Sequence, residues 1–327
     1  MDINEIARRA GVSRATVSRY LNDGYVSQEK RRLIQRIIEE TGYVPSQNAQ
    51  HLRTGKTHLI GVIIPKINSQ SVSRMVAGIT DTLAANRYHM VLANTNNDAS
   101  LEIDYLNIFC GRHHVDGIIL MATVLTEVHR HIFENVSIPM VVIGQKVEGC
   151  SCVYHDDYGA VRDMTSLVLP QAHTPAYLGV LEEDVAVGHL RHQGFLDACD
   201  TAGIEVRPEA QLVVGFDADS GFFGAEEILT RVPDVDTIVC ATDTIAFGAM
   251  MCMREFGRRV PEDVQITGVG DSLLSRIVHP SLSTVHLTYK TCGIEAARLL
   301  LSQLDAGDKG ISQIKLGYQV YGRNSIR

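Results

Sequence analysis

The chain has 327 residues, 45% of them hydrophobic, and a formal charge of -8, which supplies apolar side chains for one large core and a second small one and predicts two or three folding units. No apolar run approaches the roughly eighteen residues of a spanning helix, and the first segment is acidic and helix-forming rather than basic and then apolar, which argues against a membrane-spanning or exported chain. Seven cysteines, an odd number without framework spacing, fit a reducing compartment, so the expectation is a cytoplasmic protein.

The charge is unevenly placed. Residues 1–58 hold ten Lys and Arg against six Asp and Glu, leaving 20 against 32 for residues 59–327. A basic module on an acidic body can rest on phosphate while the body is repelled, so contact stays with the module. Asp2 followed by Glu5 is a capping-box pattern that predicts a helix start ahead of Ile6 and Ala7, with its end at Gly11. Ser13 is placed to cap a second helix, in which Ala15, Val17, Ser18 and Leu21 form an amphipathic stretch up to Asn22, Asp23 and Gly24. A third helix starts at Ser27, carries Leu33, Ile34, Ile37 and Ile38 at helical spacing, and ends at Gly42 and Pro45. Three helices within residues 1–45 make a helix-turn-helix module.

In that module Gly11 permits the tight turn, and Ser13, Arg14 and Ala15 open the second helix at the end that faces base edges. Arg14 can grip a guanine edge bidentately and Ala15 can pack on a thymine methyl, with Ser18 and Arg19 one turn further on. Ser13, Thr16, Tyr20 and Asn22 are better placed to hold the DNA backbone and set register. The plainer reading makes Arg8, Arg9, Arg14 and Arg19 a solvated face, and the completeness of the motif weighs against it.

Residues 46–58 are polar apart from Ala49 and Leu52, and read as a linker with a short helix that needs a partner to be stable. From residue 59 apolar runs of strand length alternate with helical patterns. Candidate strands fall at 59–65, 89–93, 117–121, 140–143, 176–180, 211–214, 237–241 and 266–269. Alternation of this kind implies parallel sheets covered by helices, and eight strands in residues 59–327 suit two α/β lobes. A ligand would then sit between the lobes, at the carboxyl ends of the strands.

The order Glu5-Ile6-Ala7-Arg8-Arg9-Ala10-Gly11-Val12-Ser13-Arg14-Ala15-Thr16-Val17-Ser18-Arg19-Tyr20-Leu21-Asn22 closely resembles the DNA-binding headpiece of the lactose/galactose repressor family. The resemblance continues through Tyr43-Val44-Pro45-Ser46-Gln47-Asn48-Ala49-Gln50-His51-Leu52. It implies a hinge helix that forms when two subunits meet on an operator, with Leu52 as an apolar wedge that kinks the minor groove; the alternative for Leu52 is docking on the effector domain. Residues 59–327 resemble the two-lobed periplasmic-sugar-binding-protein fold with which the same family senses effectors. The family's aromatic loop after the first strand is replaced by Pro65-Lys66-Ile67-Asn68-Ser69-Gln70-Ser71-Val72, which puts Lys66 and Ser71 at the implied cleft and makes Lys66 a phosphate contact or a solvated lysine.

Arg191 matches the family's effector-contacting arginine, Asp243 its effector-binding aspartate and Phe216 its ligand-packing position. A donor fork and a carboxylate on one lobe can fix vicinal hydroxyls, and Asp243 is also placed to cap a helix. Gln145 stands where some relatives that sense phosphosugars carry a second cation. The stretches Tyr154-His155-Asp156-Asp157, Asp184-Val185 and Cys240-Ala241-Thr242-Asp243 look most like repressors of trehalose and sucrose utilisation. The implied effector is a disaccharide such as trehalose or sucrose, free or as its 6-phosphate.

Thirteen histidines invite a metal site, but His113-His114, His129/His131 and Cys150/Cys152 lack zinc-ligand spacing. Gly268-Val269-Gly270-Asp271 lacks the third glycine of a dinucleotide fingerprint, and there is neither a phosphate loop nor a nucleophile elbow. The expectation is therefore a homodimeric, DNA-binding repressor with no cofactor, no metal, no membrane partner and no enzymatic activity. Two alternatives stand beside it: a sugar-processing enzyme with an appended DNA module, and a regulator that needs a corepressor. Five residues after Gly322 give no room for a tetramerisation heptad helix, so the expectation is a dimer rather than a tetramer.

Overall fold

The computed structural model describes residues 2–21, 24–43, 56–111, 114–306 and 310–327, and its first helices are α1 (Ile3–Arg9), α2 (Arg14–Leu21) and α3 (Gln28–Thr41). Asp2 accepts the Glu5 N–H at 2.9 Å, yet Glu5 does not return to the Asp2 backbone. Its carboxylate takes Arg8 and Arg9 instead, and those two guanidinium groups hold it down at about 2. The capping box is half formed because charged guanidinium donors outbid a neutral N–H. Ser13 caps α2 through the Thr16 N–H at 3.2 Å, and Gly11, at φ 58°, supplies the left-handed turn between α1 and α2. Ile6, Ala7, Ala10, Val17, Ile34 and Ile37 close a small core, while Leu33 is left outside it. The chain divides into two compact units, Met1–Thr57 and His58–Arg327. Asn22 and Leu52 lie outside the described residues, as does most of the expected hinge.

In the second unit the eight expected strands form, with ends within about a residue of expectation: β1 (Leu59–Ile64), β2 (His89–Asn94), β3 (Gly117–Met121), β4 (Met140–Ile143), β6 (Pro175–Gly179), β7 (Gln211–Val213), β8 (Thr237–Cys240) and β9 (Gln265–Val269). Four more were not anticipated: β5 (Ser151–His155), β10 (Ser283–Leu287), β11 (Gln313–Leu316) and β12 (Tyr318–Tyr321). Two six-stranded sheets result, ordered β11-β5-β4-β3-β1-β2 and β12-β10-β9-β8-β6-β7. Pairing is parallel throughout except between β10 and β12.

The four unexpected strands flank the three places where the chain crosses between lobes: β5 to the second lobe, β10 back to the first, and β11 to β12 through Gly317. They carry no apolar run because their polar side chains are satisfied by distant partners. Ser151 Oγ, for example, accepts the Ser312 N–H at 3.2 Å, and Ser283 Oγ accepts the Arg323 N–H at 2.8 Å. Such bonds remove the cost of burying a hydroxyl but leave no trace in local periodicity.

Helices α4 (Gln70–Ala85), α5 (Ala99–Cys110), α6 (Glu127–Asn135) and α12 (Tyr289–Ala306) belong to the first lobe; α7 (Asp157–Val168), α8 (Arg191–Thr201), α9 (Ala218–Arg231), α10 (Asp243–Glu255) and α11 (Leu273–Ile277) belong to the second. α4 and α12 cross backbone to backbone: a Cβ at Gly78 would collide with the Lys290 carbonyl, and one at Gly293 with the Met75 carbonyl. Gly293→Ala should therefore cost about 1–3 kcal/mol through overpacking, against a gain in helix propensity of roughly 1 kcal/mol. Urea denaturation reads the balance, and an unchanged or raised midpoint would show that the crossing tolerates a side chain.

Candidate functional site

On the headpiece unit the exposed face of α2 carries Ser13, Arg14, Ala15 and Arg19, with Thr16 and Ser18 half-buried beside them. The Ser13 hydroxyl is engaged as the helix cap and lies 2.9 Å from Thr16 Oγ1. Tyr20 sits under the Arg31 guanidinium, 5.3 Å from ring centroid to Cζ, so its ring is part of the packing of α2 on α3. Arg8 and Arg9 are paired with Glu5. The four arginines of the solvated-face reading are thus not equivalent: two are locked within α1, while Arg14 and Arg19 project from the helix that can enter a groove.

In the second unit a cavity of about 450 Å³ opens between the lobes at the carboxyl ends of both sheets, within the size range of small-molecule sites. Lys66, Ser71, Arg191, Phe216 and Asp243 all line it, although they come from positions spread across the whole unit. Gln145 does not. It is buried, and its Nε2 donates to the Thr123 carbonyl at 2.8 Å, so the amide braces a lining residue instead of facing the cavity, which corrects its expected place in the site.

Arg191 opens α8 on the floor of the cavity and is 3% exposed. Its Nε donates to Asp157 Oδ1 at 2.8 Å, Nη2 lies 2.6 Å from the same oxygen, and Nη1 donates to the Ala241 carbonyl at 2.6 Å. Burial opposes its charge, but Asp157 outweighs that and holds its pKa above the ordinary arginine value. Most of the donor fork expected to grip a sugar is thus committed inside the protein. Asp157, missed as a site residue, is what makes a buried guanidinium tolerable.

Asp243 is the first residue of α10, and the cap belongs to its neighbour Thr242, whose Oγ1 accepts the Ile245 N–H at 3.3 Å. The Asp243 carboxylate instead accepts from the Ser272 N–H at 2.8 Å and from the Thr284 hydroxyl. Burial raises its pKa despite those bonds. It fits only because residue 268 is glycine: a Cβ there would stand 2.7 Å from Asp243 Oδ1. The glycines that fail as a dinucleotide fingerprint thus make room for a carboxylate.

The two walls differ in charge. Among the described lining residues the first-lobe loop and α4 contribute Lys66 and Arg74, whereas the second lobe contributes Asp157, Asp184, Asp217 and Asp243 beside the paired Arg191. Asp217 is held below the usual carboxylate range mainly by the Ser220 N–H and hydroxyl, with Lys66 as a further cause. Between the walls, His155 packs edge-on to Tyr289 at 5.3 Å. Burial lowers its pKa, and its Nε2 has no hydrogen-bond partner among the described residues. Both His155 and Asp157 fall in the Tyr154-His155-Asp156-Asp157 stretch, a signal that was available, whereas nothing in the local sequence marks Arg74.

Asp184 accepts the Val187 N–H at 2.9 Å, but burial dominates and pushes its carboxyl up to about 6. The folded state thus holds this proton more tightly than the unfolded chain. The stability contributed is full below about pH 4, is lost as pH rises to about 6, and amounts to at most about 3 kcal/mol. Asp184→Asn, which keeps an acceptor for Val187, should raise the melting temperature at pH 7.5 by several degrees and flatten that decline. Superimposable pH profiles for the two proteins would show that Asp184 titrates normally.

A family profile described as bacterial regulatory proteins, lacI family, matches residues 2–46, and one for a periplasmic binding protein-like domain matches residues 171–326. The sucrose operon repressor of Staphylococcus xylosus is 35% identical over 296 residues, which is 89% of this chain and 90% of that protein. Among solved structures, a complex of the transcriptional regulator CelR with cellobiose aligns over 99% of both chains with a TM-score of 0.77 at 27% identity. The lac repressor dimer bound to operator and the anti-inducer ONPF shares the fold, with a TM-score of 0.90 over 99% of this chain and 98% of that one at 22% identity. With a headpiece whose second helix presents Arg14 and Arg19, a cleft between two lobes and relatives that match along nearly its whole length, the chain belongs to the lacI family of bacterial regulatory proteins and is a DNA-binding transcriptional repressor.

Proposed function

We propose that this repressor controls a carbohydrate-utilisation operon from the cytoplasm and leaves its operator when a small sugar, a disaccharide such as sucrose or trehalose, occupies the interlobe cavity. The observation that carries the reading is the convergence of Lys66, Ser71, Arg191, Phe216 and Asp243 on one cavity. An aromatic face, buried carboxylates and residual guanidinium N–H groups suit a ring bearing many hydroxyls. The carboxylates of the second-lobe wall accept from neutral hydroxyls, so a phosphate on the sugar would have to lie at the first-lobe wall beside Lys66. The relatives named for sucrose and cellobiose support a disaccharide.

In this reading residues 1–45 are the headpiece, 46–58 the hinge and 59–327 the effector and dimerisation domain. A homodimer sets one α2 in the major groove of each half of a pseudo-palindromic operator, with Arg14 and Ala15 reading bases, Ser13, Thr16, Ser18, Arg19 and Asn22 supporting them, and Leu52 at the central minor groove. Sugar that binds the low-affinity state more tightly shifts the dimer off DNA.

Thermal stabilisation of the purified chain by sucrose, trehalose, cellobiose and the 6-phosphates of the first two tests the effector, since a ligand of the folded state must raise the melting temperature. No shift with any of them would remove the disaccharide. Arg14→Ala should relax preference at one operator position by about 1–3 kcal/mol and leave sugar binding intact. Asp243→Asn should weaken sugar binding and leave operator affinity within about threefold. Loss of the same activity in both variants, with folding intact, would collapse the division into two sites.

A further inference from the structure

The loop between β9 and α11 is shared by two neighbours that belong to different lobes. From within the second lobe, Asp243 takes the Ser272 N–H at 2.8 Å. From the first lobe, one nitrogen of Arg74 on α4 donates to the Gly270 and Asp271 carbonyls at 3.0 and 3.3 Å. The Arg74 guanidinium rides on another first-lobe side chain, with Cζ 5.3 Å from the centroid of the Tyr289 ring. A first-lobe cation on an aromatic platform thus reaches across the cavity mouth to two carbonyls of the loop that seats the buried carboxylate.

The loop is a stiff reporter. The Asp271 carboxylate is held by Arg276 at 2.6 Å, His286 at 3.0 Å and Arg323 at 2.5 Å, and its backbone is held at φ 44°. A shift of the Asp243 end is therefore passed to the carbonyls that Arg74 contacts rather than absorbed by the loop. On the other side, α4 meets α12 backbone to backbone at Gly78 and Gly293, so α4 cannot move without α12. Arg74 itself has carbonyl and ring-face partners but no carboxylate partner among the described residues. A charged donor shared by two neutral acceptors holds well in one geometry and is lost with small displacement.

We infer that Arg74 is the positioning residue that transmits occupancy of the cavity from the Asp243 loop to α4, and so from the second lobe to the first. The inference rests on the reading of the cavity as the effector site. Arg74 lines the cavity, and what the inference assigns to it is the response: it ties the loop to α4, and occupancy at Asp243 reaches it through that loop.

The test uses the full chain, an operator duplex selected by the wild-type protein from random DNA, and sucrose, trehalose and cellobiose as probes. Operator affinity is measured with and without each sugar, and sugar affinity by calorimetry, for wild type, Arg74→Gln and Arg74→Lys. A sugar that binds wild type should weaken its operator affinity by about tenfold or more. With each sugar at a saturating concentration for the variant measured, the weakening should fall to about twofold in Arg74→Gln while sugar-free operator affinity stays within about threefold of wild type, and Arg74→Lys, which keeps the charge but loses the planar fork, should fall between. A purely structural role would instead lower the melting temperature and leave the ratio unchanged in the folded fraction. Wild-type-sized release in Arg74→Gln at saturating sugar overturns the inference and leaves the cavity reading standing; no detectable sugar binding by Arg74→Gln also overturns it, by making Arg74 a ligand contact first. If no sugar binds wild type, the cavity reading falls and takes the inference with it.

Discussion

The buried pair of Arg191 and Asp157 is the constraint around which the second unit is arranged. Both side chains are 4% exposed and sit 2.6 Å apart, and each is the first residue of its helix, α8 and α7. Through the Ala241 carbonyl the same guanidinium also holds the end of β8. One charged group thus ties the first crossing from the other lobe, the floor of the cavity and the strand that leads to Asp243. Breaking a buried pair by removing one partner typically costs about 3–5 kcal/mol, because the survivor is left charged in a poor solvent. A cavity built on such a pair is pre-organised, and a ligand in it would meet donors and acceptors whose positions are already determined.

Three other side chains of the cavity are governed by burial as well. Asp184 and Asp243 are pushed toward their protonated forms by desolvation, against the backbone N–H groups that each accepts. His155 is pushed toward neutrality by the same cause. Hydroxyl groups of a ligand replace water at such atoms without bringing a counter-charge, which is the reason a neutral polyol face suits the second-lobe wall. The opposite wall, with Lys66 and Arg74 and no lining carboxylate among the described residues, has the complementary field.

The headpiece works by the reverse principle. Its core is six small or medium apolar side chains, and the side chains proposed to contact DNA, Arg14, Ala15 and Arg19, are exposed on α2. With Arg8 and Arg9 paired to Glu5, α2 is the headpiece helix that carries arginines, Arg14 and Arg19, and no acidic residue, which suits it to neutralise phosphate.

The sequence by itself determined the three headpiece helices, because caps and turn glycines act over three or four residues, and eight of the strands, because an apolar run buried on both faces is a local pattern. Its likeness to a known family also named Lys66, Ser71, Arg191, Phe216 and Asp243, which the fold brings to one cavity. Only the tertiary structure decided the four strands at the lobe crossings, the commitment of Arg191 to Asp157, the turning of Gln145 to Thr123 and the reach of Arg74 to Gly270. Each of those depends on a hydrogen bond between residues far apart in the chain. A polar side chain has several partners open to it in an unfolded chain, and which one it takes is decided when burial removes water as the alternative.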